Sequence, residues 1–550
     1  MADTRGTRTL RRGPALALAL VALGAEAAPA DYADVRGYIA RNWDVLTRSI
    51  DTCAVLQDPK VPRRAVLYLP QDLPEPAAVQ KLRQACPQAR IERLPADITG
   101  PGQVDVRALP SQGLLYLEHP YVVPGGRFNE MYGWDSYFIV RGLLRDGRRE
   151  LAQGMVRNFF FEIEHYGAVL NANRTYYLTR SQPPFLTSMA LAVHAELDEA
   201  EGRAWLAEAY PYLVRDYGLW KERAHLAGDT GLSRYFDYGQ GPVPEIEDDQ
   251  ARYYRDVVSY FASHPAEGKP FVHEVPQATA PAGDTAPVFI TQVCQRNVGA
   301  TVCTTGQSLT LTPDFYLGDR AMRESGFDIS FRFGPFSART HHFAAVDLNS
   351  LLYKTETDLE SIATRLGQDQ DASTWKERAR QRKALVDRYL WDAERGLYFD
   401  YDTQAGKRST YEYATTFYPL WAGLASPAQA RAVVASLARF EQPGGLAMST
   451  RETSSQWDLP YGWAPLQLLT VEGLRRYGHG AEADRLSREF LDMVAEDFRR
   501  DGTLREKYDV VKRTSETQVT AGYAENVVGF GWTNGVFLEL WRGLTPKPPR

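Results

Sequence analysis

The spacing of apolar residues constrains this chain more than any other feature, because from Asp135 onward it follows a helical repeat and keeps to it. Candidate helices cover residues 137–145, 149–165, 185–199, 203–227, 343–366, 372–392, 413–424, 427–440, 464–477, 481–500 and 529–542. Ser426-Pro427 and the run from Asp371 to Thr374 read as N-caps, and Gly367, Gly423 and Gly478 stand at C-terminal ends. A parallel α/β sheet would need buried Val/Ile strands between the helices, and none is found. About eleven helices with long aromatic-rich loops between alternate pairs predict an all-α fold. The count suits an (α/α)6 barrel, twelve helices in two concentric rings.

A chain of 550 residues could hold two or three domains, yet single helical barrels reach this size, so length does not force a split. The barrel is expected over 116–545, preceded by an irregular lead-in over 31–115 that packs on it. That lead-in opens with an amphipathic helix over 31–49 and continues as a Pro-rich stretch over 59–113. Residues 264–312, rich in Pro, Gly, Thr and Ala, read as an insertion loop, either surface decoration or a wall over the pocket.

Four arginines at Arg5, Arg8, Arg11 and Arg12, a short apolar run over 15–24 and small residues up to Ala30 have the order of a secretory signal. Residues 1–30 are therefore expected to direct the protein to a periplasmic or secreted location. The run is shorter than the roughly 20 residues that span a bilayer, so no membrane span is expected. In an oxidising compartment the four cysteines would form two disulfides. Neighbour pairing, Cys53 with Cys86 and Cys294 with Cys303, has the shortest loops of three connectivities. No ligand spacing such as CxxC or HExxH occurs, so neither metal nor other cofactor is expected. A net charge of −6 gives no sign of a nucleic-acid partner. A monomer is expected.

Two aromatic-rich strings stand out against this background. Pro124 to Phe138, PGGRFNEMYGWDSYF, combines ring faces that can stack on a sugar with carboxylates and a guanidinium that can clamp its hydroxyls. A buried aromatic turn with a structural Arg–Asp pair fits the composition equally well. Gln456 to Gln467, QWDLPYGWAPLQ, repeats the flavour more than three hundred residues later, which tips the balance toward a sugar site. Together they resemble the paired signatures of the trehalase family of inverting glycoside hydrolases, PGGRFxExYxWDxY and QWDxPxGWAP, with every fixed position filled. The resemblance extends with gaps from about Tyr116 to Gly535 and implies the same (α/α)6 fold.

Inversion at an acetal takes one carboxylic acid to protonate the leaving oxygen and one carboxylate to activate water. Asp328 lies in ESGFDISFRF among Phe327, Ile329, Phe331 and Phe333, surroundings that should raise its pKa. The family motif is ESGWD and its Asp is the general acid, so the resemblance gives Asp328 that role, with Phe327 in place of Trp. Glu506 in LREKYDV matches EKYD, whose Glu is the general base; alone, a Glu-Lys pair is usually solvated surface. GFGWTNG follows at Gly529 to Gly535, as in the family.

By the same carry-over, substrate contacts are expected from Arg127, Phe128, Tyr132, Trp134, Asp135, Asn171, Arg180, Ser181, Gln182, Gly326 and Trp457. Three departures accompany them. PRPE becomes Pro242-Val243-Pro244-Glu245, which keeps Glu245 but loses a sugar-binding arginine; Arg323, Arg252 or the insertion loop are candidates to replace it. The GEY before GFGW becomes Gly522-Tyr523-Ala524-Glu525, so its acidic contact is lost or shifts to Glu525. PNGWAP has Tyr461 in place of Asn. The resemblance implies hydrolysis of the disaccharide α,α-trehalose to two glucose molecules; the rivals are a hydrolase of another α-glucoside and a sugar-binding protein that has lost catalysis.

Overall fold

The computed structural model describes residues 1–2, 32–56, 65–246, 250–275, 288–297, 300–453, 455–523 and 525–545. The expected secretory signal therefore lies almost wholly outside the described residues. The helices are α1 (Ala33–Leu46), α2 (Ala77–Ala85), α3 (Asp135–Arg145), α4 (Arg149–His165), α5 (Leu186–His194) and α6 (Glu199–Leu219). After them come α7 (Gln250–Ser263), α8 (Pro265–Gly268), α9 (Pro313–Glu324), α10 (Val346–Leu366), α11 (Asp369–Tyr389) and α12 (Tyr418–Ala422). The last four are α13 (Pro427–Ala435), α14 (Ala464–Arg476), α15 (Gly480–Asp501) and α16 (Gly531–Leu544).

The fold is an (α/α)6 barrel. Neighbours run α3, α5, α10, α12, α14 and α16 around the inner ring, which closes because α16 packs on α3. That closing contact is close, and glycine makes it possible: a Cβ on Gly535 would lie 2.0 Å from the carbonyl oxygen of Phe138. Helices α4, α6, α11 and α15 pack outside the ring. The outer place on α16 is taken by α1, whose Arg36 lies 4.1 Å over the Trp541 ring while Tyr32 meets Phe537 edge-on at 5.4 Å.

Helix ends follow local chemistry. Ser426 and Gln429 form a reciprocal capping box at α13, and Gly367 and Gly423 end α10 and α12 in the left-handed region. Helix α11 starts at Asp369, so the expected cap over 371–374 lies inside the helix instead.

The lead-in is less irregular than expected. Val66–Leu69 pairs in parallel with Arg90–Arg93 and with Leu114–Leu115, and α2 crosses over between the first two strands. Strands of two to four residues are too short to stand out by periodicity, which is why the sequence reads there as broken. Cys53 and Cys86 are disulfide-bonded in this segment.

The described part of 264–312 holds a sheet where a loop was expected, with strand Val288–Asn297 pairing antiparallel with Ala300–Leu311 and Val272–Glu274 on the other side of the latter. The Cys294 and Cys303 side chains lie outside what is described; their backbones stand opposite each other across the hairpin. No helix among the described residues is long and apolar enough to cross a membrane.

Candidate active site

The loops at one end of the barrel enclose a cavity of about 510 Å³. Asp328 reaches it from the turn after α9, where Gly326 has φ 77°; a Cβ there would sit 2.9 Å from the Trp134 indole. Phe327 packs beneath, its ring 5.5 Å from Trp134 and 5.2 Å from Trp457. The turn is pinned from the second signature and the residue before it, since Ser455 Oγ donates to the Ile329 carbonyl at 2.6 Å and Trp457 N to the same oxygen at 3.1 Å. About a third of the Asp328 side chain (32%) opens on the cavity, and protein encloses the rest. Burial pushes its carboxyl up to about 6; Arg323, at 4.0 Å, and Arg180 oppose the shift without cancelling it.

Glu506 approaches along a different element. The strand Lys507–Asp509 pairs antiparallel with Tyr461–Trp463, so the EKYD run lies against the second signature with Trp463 opposite Lys507. Trp463 stacks on Trp457 at 3.8 Å. Only 2% of Glu506 is accessible, and both carboxylate oxygens have donors. Tyr523 Oη donates to Oε1 at 2.6 Å and Lys507 Nζ to Oε2 at 3.3 Å. Burial lowers the pKa of Lys507 and raises that of Tyr523 well above its ordinary value.

The remaining walls carry the sugar-recognising types. Asp135 is buried at the start of α3, and desolvation drives its pKa well above the usual carboxylate range. Gln182 Oε1 accepts from the Trp134 amide at 3.0 Å. Arg180 pairs with Glu245 at 2.5 Å and lies 3.5 Å from Asp237; against the effect of burial, Arg180 and Arg323 bring Glu245 down to about 2. Asn171 Nδ2 donates to the Arg323 carbonyl at 3.4 Å. At the mouth, Arg127 pairs with Glu525.

The structure brings every expected site residue to this cavity except Ser181, whose amide instead donates to Glu324 Oε1 at 3.1 Å behind the wall. Tyr177, Tyr523, Phe530 and Trp532 also line it, unassigned by the sequence reading. Phe530 and Trp532 sit in GFGWTNG and were within its reach; Tyr177 carries no motif signal.

Arg323 lines the cavity, whereas Val243 and Tyr461 are buried away from it. A chain of contacts links the vacated position to Arg323. The Val243 amide donates to Tyr254 Oη at 3.2 Å, Tyr254 and Tyr253 donate to Asp319 at 3.1 and 2.8 Å, and Arg323 Nε meets Asp319 at 3.3 Å.

Comparison with known proteins agrees with this geometry. A family model described as trehalase matches residues 66–276 and 310–544. The chain belongs to the trehalase family. The unmatched residues between these blocks include the paired strands Val288–Asn297 and most of Ala300–Leu311. The chain is 36% identical to the cytosolic neutral trehalase of Emericella nidulans, over 90% of its own length and 70% of that protein's. It is 35% identical to that of Saccharomyces cerevisiae, over 90% and 69%. The solved neutral trehalase of S. cerevisiae superposes with a TM-score of 0.75 at 33% identity, covering 93% of this chain and 94% of that one. A mannosylglycerate hydrolase from Thermus thermophilus, at TM-score 0.50 and 20% identity over 77% and 96%, shares the fold alone.

These trehalase relatives overturn the periplasmic or secreted location expected from residues 1–30. They are named cytosolic, which points to the cytoplasm. A basic, apolar and small-residue order needs only arginine and alanine in sequence, whereas the relatives match across 90% of the chain. The Cys53–Cys86 bond reports the approach of two side chains and does not restore the export argument.

Proposed function

We propose that this protein hydrolyses α,α-trehalose to two glucose molecules with inversion, Asp328 acting as general acid and Glu506 as general base. One observation carries the reading: two carboxyl groups open on one cavity and are treated in opposite ways. Asp328 has its pKa raised to about 6 by burial, and Glu506 has both oxygens held by donors. A volume of about 510 Å³ falls within the roughly 300–1,000 Å³ of small-molecule sites.

In this mechanism Asp328 gives its proton to the glycosidic oxygen as the bond to the anomeric carbon breaks. Glu506 takes a proton from a water whose oxygen attacks that carbon from the opposite face. One glucose leaves as the α anomer and the attacked one as β. Substrate filling the cavity displaces water from Asp328 and favours its protonated form further. Asp135, whose carboxyl burial biases toward the protonated form, hydrogen-bonds a sugar hydroxyl, and the Arg180–Glu245 pair clamps others. Arg323 supplies the guanidinium absent at Val243.

The catalytic unit is the barrel over 116–545, with 31–115 as its structural complement. It works as a monomer. Another α-glucoside as substrate was favoured by Val243 and Tyr461, and neither lines the cavity. Glucose release from a panel of α-linked disaccharides, with the anomers followed by proton NMR, tests the assignment. Turnover of trehalose above the others, with α- and β-glucose appearing together in equal amounts, is expected. Binding without glucose release, or preference for another disaccharide, overturns it.

A further inference from the structure

Away from the cavity, one cluster of ligating side chains has no part in this chemistry. Asp314 lies in the first turn of α9, which is capped by Thr312 Oγ1 accepting from the Phe315 amide at 3.2 Å. His341 and His342 end the 3-10 turn Thr340–His342. The backbone of that turn is fixed, since Arg234 donates to the His341 carbonyl at 2.6 Å and Thr403 N to the His342 carbonyl at 2.9 Å. All three side chains thus hang from anchored elements.

Asp314 Oδ1 stands 2.9 Å from His341 Nε2 and 3.6 Å from His342 Nε2, and the three ligating atoms all fall within 4.8 Å of one another. Ligand atoms at about 2.0–2.1 Å around a tetrahedral zinc ion are about 3.3–3.4 Å apart, a spacing these distances bracket. A hydrogen bond accounts for the shorter contact but not for the longer one. His341 is buried and its Nδ1 has no partner, so the nitrogen it engages is the one facing the cluster. The nearby Arg339 is engaged by Asp402 at 2.8 Å. Asp314 is 45% accessible, so water can take a fourth position.

We propose that Asp314, His341 and His342 bind one zinc-class divalent cation with water as fourth ligand, fastening the start of α9 to the turn at residue 340. Two imidazoles, one carboxylate and an open position are a donor set for such metals. The separation of 27 positions between Asp314 and His341 explains why no motif announces the site. Helix α9 carries Arg323 near its other end and leads to Asp328, so the ion would brace the element that delivers the acid.

Chelator-treated protein titrated with cobalt(II) tests this. One equivalent should bind with the visible absorption of tetrahedral nitrogen and oxygen coordination, and zinc should displace it. Zinc at 100 times its Kd should raise the folded-to-unfolded ratio about 100-fold and the Tm with it. Asp314→Asn and His342→Ala should each weaken binding at least tenfold. Binding only in the millimolar range, or equal binding by both variants, overturns the proposal. If His342→Ala fails to fold, the isosteric Asp314→Asn decides alone.

Discussion

The two carboxylates of the cavity sit on walls of opposite construction. Asp328 follows a glycine turn after a helix, with no side-chain hydrogen bond to its carboxyl among the described residues and its nearest cation at 4.0 Å. Glu506 precedes a paired strand, and a phenol and an ammonium each hold one of its oxygens. One wall withholds solvation and so favours a proton; the other supplies a hydrogen-bond donor to each carboxylate oxygen. The same functional group is steered toward acid or base work by what surrounds it, without any difference in its own chemistry.

Removing either group should have the largest effect. Asp328→Asn and Glu506→Gln keep shape while deleting the proton-transfer function, and each should lower kcat on the order of 10²-fold or more. The comparison adds a stability contrast. A carboxyl whose folded pKa is raised contributes stability below its unfolded pKa and loses it as pH rises through about 6. Asp328→Asn should therefore raise Tm at pH 7.5, and Glu506→Gln, which weakens two charge-assisted contacts, should lower it. A fall in Tm for Asp328→Asn would break the contrast even if activity vanished.

Next in size is the guanidinium beside the acid. Losing a charged hydrogen bond costs about 1.5–3 kcal/mol, or one to two decades, so Arg323→Leu should raise KM on trehalose by roughly 10- to 100-fold. Val243→Arg should not rescue it. Val243 is buried outside the cavity, and an arginine there would be an unpaired internal charge, so lower Tm with no gain in KM is expected. An improved KM in Val243→Arg would show that Arg323 does not fill the vacancy.

The acid wall also sets a pH dependence. Because Asp328 must carry its proton, kcat/KM should fall above about pH 6 and lose close to tenfold per unit beyond it. Steady-state rates between pH 5 and 8.5 check this. A limb that stays flat to pH 8 would remove Asp328 as the acid of the free enzyme.

Much of this was legible in the sequence because both signatures put their chemistry in short contiguous strings. PGGRFNEMYGWDSYF supplies six of the lining residues and QWDLPYGWAPLQ adds Trp457, and the aromatic flanks of Asp328 implied its raised pKa. Other features depended on contacts between distant segments. Helix α1 read as part of a lead-in, since nothing in its spacing says that its partner is α16, almost five hundred residues on. The sheet around Cys294 was read as a loop because Thr, Gly and Pro signal turns, although a β-branched residue such as Thr also favours strands. Helices α7 and α9 escaped notice as they border that stretch. Tyr523 looked only like the loss of an acidic contact; its hydroxyl at 2.6 Å from Glu506 is a fact of three-dimensional approach.

The smallest expected effect concerns the mouth. Glu525 was the candidate to inherit the acidic contact missing from its segment, and it pairs with Arg127 rather than standing free. Both partners are open to solvent, at 33% for Arg127 and 59% for Glu525, and exposed pairs contribute about 0–1 kcal/mol. Glu525→Gln should therefore change KM less than about fivefold, and added salt should shrink the difference further. The outcome separates two ways in which this chain could have lost the family's acidic residue. A small, salt-sensitive effect means that the rim tolerates the loss and recognition rests on the inner walls. A change of tenfold or more that resists salt means that Glu525 meets the sugar directly in a cavity closed against solvent, and the mouth would then belong with the walls.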